Sequence, residues 1–388
     1  MSGAGRRVVI VGASVAGLTV AETLREGGFD GRLTLVGDEA HPPYDRPPLS
    51  KQVLSGAWEP DRVLLRPSAG ELGAELLTGR AATSLDLERR VVGIGDGEQV
   101  PYDTVVIATG VRARRPRYME GVAGVQVLRT LGDAVRLRAA LLGRPRLVVI
   151  GGGFLGTEVA GVARGMGAEV TVVEPGPVPL AGPLGMAVGA RVAALHREHG
   201  VRLRTGVTAG GLTSSGGRVT GVELDDGSVA GAEVVLVAIG SVPATGWLAG
   251  SGVPVGDGVL CDGFGRAAPG VYAAGDVARW DSDRWDGDRW DGARFEHRTN
   301  ATDQGRAVAR TILGDPRPLS VTPYFWSDQY DVKLQVYGTP DGADAELTEG
   351  GNGGRFTARY LRGGRVTAVL GWNSPREVLR RRELLLTG

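Results

Sequence analysis

Residues 8–17, VVIVGASVAG, and residues 147–156, LVVIGGGFLG, decide the fold of this chain. Each is a run of β-branched and apolar residues that ends in closely spaced small residues and opens a segment of helical periodicity. Gly12, Ser14 and Gly17 occupy the Gly-x-Gly-x-x-Gly positions of the first stretch, and Gly151, Gly153 and Gly156 those of the second. In a strand–turn–helix setting the first position allows a tight turn and the second lets backbone approach a pyrophosphate. The third lets the helix pack on the strand. The phosphates then meet the unpaired N–H groups at the positive end of a helix. Two such units in one chain predict two bound dinucleotides and electron passage between them.

The pattern around each stretch extends the duplication. Residues 7–12 predict a buried parallel strand, 15–26 a helix and 32–36 a second strand. Residues 146–151, 154–166 and 169–174 repeat that series, ending at Glu174. The strand predicted at 102–110, ending VVIATG, is echoed at 233–240, ending VLVAIG. Gly12 and Gly151 lie 139 residues apart, and Gly110 and Gly240 lie 130 apart. A nearly constant offset marks an internal repeat. The proline-rich stretch 41–51 predicts an ordered loop. Residues 271–278 predict a strand running into Gly275-Asp276, followed by a helix from about Thr299. From residue 321 the sequence alternates apolar and polar, as antiparallel strands do, and closes on an arginine-rich helix at 375–386. The expected fold class is α/β: two Rossmann-like dinucleotide-binding domains, one inserted in the other in the manner of glutathione reductase, plus a small C-terminal α+β domain. The expected boundaries are 1–112 with 242–320, then 113–241, then 321–388.

At 388 residues, 42% hydrophobic and 23% charged, the composition is that of a globular protein of more than one domain. A formal net charge of zero and the absence of a basic domain argue against a nucleic-acid partner. No apolar run approaches membrane-spanning length and no signal sequence precedes the first strand, so a cytoplasmic protein is expected. Lys51 and Lys333 are the only lysines among 44 basic residues. Cys261 is the only cysteine, which leaves no Cys-x-x-Cys pair for disulfide or peroxide chemistry.

PPYDRPPLSK (42–51), the two glycine motifs, VVIATG (105–110), LRTLGDA (128–134), VYAAGD (271–276) and FWSDQY (325–330) occur in an order that resembles the FAD-dependent pyridine-nucleotide oxidoreductases. The narrower resemblance is to the NADH:ferredoxin reductases that feed bacterial monooxygenases and dioxygenases, and it spans essentially the whole chain. It implies FAD on the first fingerprint, at Gly12, Ser14, Val15, Ala16 and Gly17. Gly37 stands at the strand end that Glu174 holds in the second copy, so Asp38, or else Glu39, is expected to take the adenosine ribose. Arg46, Ala82, Ala108, Thr109, Gly110, Arg129, Gly275 and Asp276 complete the implied FAD contacts. The resemblance also implies that Lys51 pairs with Glu158 at the flavin edge as the catalytic pair. Lysine suits this role because it brings a point charge on a flexible stem.

The second fingerprint, with Phe154, Leu155, Ile239 and Gly240, is expected to hold the nicotinamide cofactor. Glu174 would accept bonds from free ribose hydroxyls and repel a 2′-phosphate, so NADH is expected over NADPH. The helix near Thr299 is implied to aim its positive end at the flavin. Arg298 stands where the resembled proteins carry an aromatic or apolar residue. Its side chain is expected to turn to solvent, or else to alter flavin potential or nicotinamide stacking. Arg66, Arg306 and Trp326 are the expected docking residues for an acidic iron–sulfur ferredoxin. A monomer or weak dimer is expected.

Two rival functions are an oxidase or quinone reductase using NADH, and an NADH-responsive signalling flavoprotein. Cys261 reads as an inert core thiol. His196 and His199, at i and i+3 without other ligands nearby, read as a solvated helix face and not as a metal site. The tandem DRWDGDRWDG (283–292) reads as a solvent loop, with partner docking as the alternative.

Overall fold

The computed structural model describes residues 5–281, 294–319, 322–340, 344–349 and 354–385. The tandem at 283–292 therefore lies outside the described residues. The chain divides into two compact units. The first comprises Met1–Asp45, Val63–Arg112 and Val242–Val321; the second comprises Arg46–Arg62, Ala113–Ser241 and Thr322–Gly388. Among the described residues, no helix is long and apolar enough to cross a membrane.

In the first unit a six-stranded sheet runs in the order Arg266–Ala268, Val271–Ala273, Thr104–Ile107, Arg7–Val11, Arg32–Val36, Glu75–Leu77. All neighbours pair parallel except the edge strand Arg266–Ala268. Both faces of the central strands are covered, which is why Val8, Val9, Ile10, Val105, Val106 and Ile107 form continuous apolar runs instead of alternating with polar residues. The helix Val15–Glu26 covers one face and lies against the helix Arg298–Leu313. Gly305 makes that approach close: a Cβ there would stand 2.9 Å from the Ala16 carbonyl oxygen. Cys261 is buried in the same core, as a small apolar side chain.

The second unit repeats the plan. Its five-stranded parallel sheet runs Arg202–Thr205, Glu169–Glu174, Arg146–Ile150, Val234–Val237, Val125–Gln126. The two sheets are braced alike at their lower ends. In the first, Arg7 N–H donates to Asp103 at 2.8 Å and Asp103 N–H donates back to the Arg7 carbonyl at 2.9 Å. In the second, Arg146 N–H donates to Glu233 at 2.9 Å and Glu233 N–H returns a 2.9 Å bond. These partners sit 139 and 130 residues on from their counterparts, the offsets of the glycine motifs.

The second unit also holds a five-stranded antiparallel sheet, ordered Tyr324–Gln329, Val332–Gly338, Arg365–Trp372, Phe356–Arg362, Asp344–Glu349. Its apolar face packs on the helix Ala181–Glu198 through Leu184, Val188 and Val192, against Val336, Phe356, Tyr360 and Leu370. This packing corrects the expectation for His196. Beyond the kink at Gly185, positions 188, 192 and 196 form one i, i+4 row, so the imidazole is carried into the interior and is 0% exposed. His199 lies off that row and is exposed.

Two further expectations are adjusted. The 41–51 stretch is not wholly irregular: Pro47–Ser50 forms a 3-10 turn, because proline is acceptable at the start of a helix, and Gln52–Ser55 adds one α-turn. The closing helix is shorter than 375–386. It spans Pro375–Arg381 and tightens into a 3-10 turn at Arg382–Leu385.

Candidate functional site

In the first unit the turn after Arg7–Val11 excludes side chains by geometry. Gly12 has φ +125°, and a Cβ there would stand 2.0 Å from the Ala108 carbonyl oxygen. A Cβ on Gly17 would stand 2.1 Å from the Gly12 carbonyl. Ser14 is the N-cap of the following helix, yet its hydroxyl makes no cap bond. The first-turn N–H groups are therefore left for an external acceptor. The helix Leu131–Leu141 offers a contrast: Thr130 and Asp133 cap it reciprocally.

Around this turn, Val15 and Ala16 are buried and Asp38 is exposed, whereas Glu39 accepts the Tyr44 hydroxyl at 2.7 Å. Thr109 donates to the Ala244 carbonyl at 2.9 Å, beside Gly110 at φ +66°. Gly275, at φ +81°, donates its N–H to Gln304 at 2.8 Å, and the Asp276 carbonyl accepts from Arg294 at 3.1 Å. Ala82 opens an antiparallel strand and is half-buried.

Arg298 opens the helix Arg298–Leu313, one residue earlier than expected. Its side chain does not turn free to solvent. It bonds Asp45 at 3.1 Å and Thr302 at 2.6 Å, so its charge is already matched by a carboxylate. Arg66 and Arg306 are both exposed. Along the same helix, burial pushes the Asp303 carboxyl up, and the Arg306 charge opposes it.

The second unit carries the parallel turn. Gly151 has φ +106° and a Cβ there would lie 2.3 Å from the Ala238 carbonyl; one on Gly156 would lie 2.0 Å from the Gly151 carbonyl. A Cβ on Gly153 would meet nothing within 4 Å. The space above this position is thus open, and the helix Phe154–Gly165 starts without a side-chain cap. Phe154 packs edge-on to Phe325, Leu155 and Ile239 are half-buried, and Gly240 has φ +93°. Glu174 accepts Gly152 N–H and Gly176 N–H, each at 2.7 Å, which fixes its carboxylate at the strand end. Each carboxylate oxygen can accept a further bond. Both turns therefore meet the steric and hydrogen-bonding requirements of a dinucleotide pyrophosphate.

Lys51 and Glu158 meet in the second unit. Their ion pair spans 2.7 Å with side chains only 11% and 7% exposed. A pair so buried is tolerated only when its remaining polar atoms are satisfied. Glu158 Oε2 also accepts the Ser50 hydroxyl at 2.5 Å, and Oε1 accepts the Ser327 hydroxyl at 2.7 Å. Lys51 donates further to the Pro47 carbonyl at 3.2 Å. Arg46 reaches the Arg129 carbonyl at 2.8 Å, and Arg129 N–H bonds Asp133 at 3.1 Å. Trp326 is half-buried beside Tyr324.

Sequence reasoning passed over Ser50, Ser327 and Gln329 and placed His196 on a solvated face. Ser327 and Gln329 share one face of a strand, and both are buried. The signal for His196 was available in the apolar positions 188 and 192 of its own helical row.

A probable ferredoxin reductase of Castellaniella defragrans is 36% identical over 389 residues, covering 99% of this chain and 94% of that protein. The ferredoxin--NAD(+) reductase subunit of the benzene 1,2-dioxygenase system of Pseudomonas putida is 37% identical over 377 residues, covering 95% and 90%. Among solved structures, the reductase in the covalent putidaredoxin reductase–putidaredoxin complex superposes with a TM-score of 0.92 at 34% identity, covering 98% of this chain and 93% of that one. Residues 324–388 match the reductase C-terminal family. With residues 6–305 matching as well, the chain belongs to the pyridine nucleotide-disulphide oxidoreductase family.

Proposed function

We propose that this chain is an FAD-dependent NADH:ferredoxin reductase, which draws electrons in pairs from NADH and delivers them singly to an acidic iron–sulfur ferredoxin serving a monooxygenase or dioxygenase. The observation that carries the reading is the pair of uncapped helix starts, each behind a glycine where a Cβ would collide with the carbonyl of Ala108 or Ala238, just past the neighbouring strand. Gly12, Ser14, Val15, Ala16 and Gly17 offer their backbone to FAD, with Asp38 on its ribose and Gly275-Asp276 on the ribityl chain. Gly151, Gly153 and Gly156 do the same for NADH. The anchored Glu174 carboxylate favours free ribose hydroxyls over a 2′-phosphate.

When bound, FAD converts two-electron into one-electron chemistry. The protein orients the cofactors and supplies charge: Lys51, held by Glu158, is the cation we assign to the reacting edge. Disulfide reduction does not extend to this chain, whose single cysteine is buried. The names of the benzene dioxygenase subunit and of the putidaredoxin complex support a ferredoxin as acceptor, and Arg66, Arg306 and Trp326 are the residues proposed to meet it.

Anaerobic titration with NADH tests the reading. Oxidised-flavin absorbance should bleach at about one NADH per flavin, and added ferredoxin should restore it. A protein that takes up no FAD would sink the proposal, and fast NADH turnover in air without ferredoxin would redirect it to oxygen or a quinone.

A further inference from the structure

Glu158 ends a longer row of hydrogen bonds, all within the second unit. The Tyr330 hydroxyl lies 3.3 Å from His196 Nδ1, and His196 Nε2 lies 3.0 Å from Gln329 Oε1. Gln329 Nε2 lies 3.3 Å from Ser327 Oγ, which lies 2.7 Å from Glu158 Oε1. Chemistry fixes the direction of each link. A carboxylate accepts, so Ser327 donates to it. With its one proton committed, Ser327 accepts from Gln329 Nε2, which also donates to Thr157 Oγ1 at 3.0 Å. Gln329 then presents Oε1 to His196, so Nε2 carries the imidazole proton and Nδ1 accepts from Tyr330.

The surroundings suit this arrangement. Burial holds His196 below its ordinary value, with His199 adding to the effect and the Gln329 bond opposing it, which favours the neutral ring. Burial pushes Tyr330 up to about 12, against the Arg164 charge, so the phenol keeps its proton. His199 stacks on Tyr330 at 3.7 Å. The charged and titratable groups bearing on the row are thus Lys51 at one end and His199 and Arg164 at the other. An amide does not relay protons, so the row is not a proton wire. A leucine at 196 would have completed the apolar row of the helix.

We propose that Gln329 and His196 are positioning residues for the Lys51–Glu158 pair: a one-way row of donors running from Tyr330 to Glu158 pins the carboxylate and, through it, the Lys51 ammonium. Without the His196 donor, the Gln329 amide keeps only its bond to Thr157 Oγ1 to set its orientation, and can turn over. Ser327 then donates to Gln329, and Glu158 Oε1 loses its fixed partner. The pinning stands on the geometry alone, whereas its consequence for reduction by NADH rests on the function proposed above for Lys51.

The test uses the two lysines. Nitrogen-15 lysine labelling of the FAD-loaded full chain gives one side-chain ammonium signal from Lys51 and one from the exposed Lys333 as an internal control. His196→Phe and Gln329→Met should each speed hydrogen exchange at Lys51 about tenfold, the worth of one bond to a charged group, and leave Lys333 unchanged. His196→Gln, which restores a donor near the Nε2 position, should stay within about twofold of wild type. Unchanged Lys51 exchange in both Phe and Met variants would overturn the proposal, as would His196→Gln behaving like His196→Phe. Should His196→Phe fail to fold, the near-isosteric Gln329→Met decides alone. Faster exchange at Lys51 with an unchanged stopped-flow rate of reduction by NADH would support the pinning and remove Lys51 from the reaction.

Discussion

The two parallel sheets are copies of one plan, and the differences between them are instructive. In the first, the residue after the opening glycine is Ala13 and the strand end is Gly37. In the second, the same positions hold Gly152 and Glu174. A Cβ on Gly37 would stand 2.9 Å from the Ala13 methyl, and a Cβ on Gly152 would stand 3.0 Å from Glu174 Oε2 and 3.2 Å from its Cβ. Side chains on both residues would crowd each other at this crossing. In this chain the acid stands at the strand end of the copy whose turn has glycine, Gly152, after the first glycine. The first copy, with its alanine, has its acids one and two residues later, at Asp38 and Glu39. A second difference lies on the helices. Thr19 occupies the position 139 residues before Glu158, so the first copy has no counterpart of the buried ion pair.

The most damaging way to separate the copies is to fill their third glycine. Gly17→Val should yield protein without FAD. Gly156→Val should retain FAD but lose at least about a hundredfold in reduction by NADH, because the helix can no longer close on its strand. Absorbance of the purified variants and stopped-flow reduction distinguish the two; equal loss of flavin from both would erase the assigned division of roles.

Glu158→Thr converts the second helix to the first. Reduction should slow by about ten- to a hundredfold, and stability should fall by about 3 kcal/mol in urea melts, since Lys51 is left buried without its partner. A milder exchange is Gly152→Ala with Glu174→Gly, which gives the second turn the first turn's crossing. Discrimination for NADH over NADPH should drop about tenfold by kcat/KM. Gly37→Glu should destabilise the first unit by itself and be relieved by Ala13→Gly.

The smallest effects concern the braces. The Arg7 side chain holds Asp103 below the usual carboxylate value, and the Arg146 backbone N–H does the same for Glu233. A depressed carboxylate contributes stability that is present above its unfolded value and is lost as pH falls through the folded one. Asp103→Asn and Glu233→Gln should therefore each flatten the loss of urea stability between about pH 4 and pH 2. Asp103 should matter more, because the Arg7 guanidinium also bonds it through two nitrogens, at 3.1 and 2.9 Å.

Much of this molecule was legible in the sequence because backbone geometry forces its signals. Only glycine fits Gly12 and Gly151, and only continuous apolar runs fit strands covered on both faces. The helices at Val15–Glu26 and Phe154–Gly165 followed from the same turns. What escaped was polarity placed against type. Ser327, Gln329 and His196 are polar residues on buried faces, satisfied by one another across elements far apart in sequence, and periodicity assigns such positions to solvent. The pairing of Arg298 with Asp45, 253 residues away in the chain, has no local signature either.

The first unit is assembled from three separate stretches, and this imposes an order on its synthesis. When residue 241 leaves the ribosome, every strand of the second unit's parallel sheet has been made. The first unit still lacks the strand Val271–Ala273 and the helix Arg298–Leu313. Until they emerge, Thr104–Ile107 presents a bare parallel edge, and Ala16 and Thr19 face water where Gly305 will lie. The helix made first is among the last to be covered. A nascent chain paused between residues 241 and 298 thus exposes an unpaired strand edge and an uncovered helix to chaperones, proteases and mispairing with a second chain.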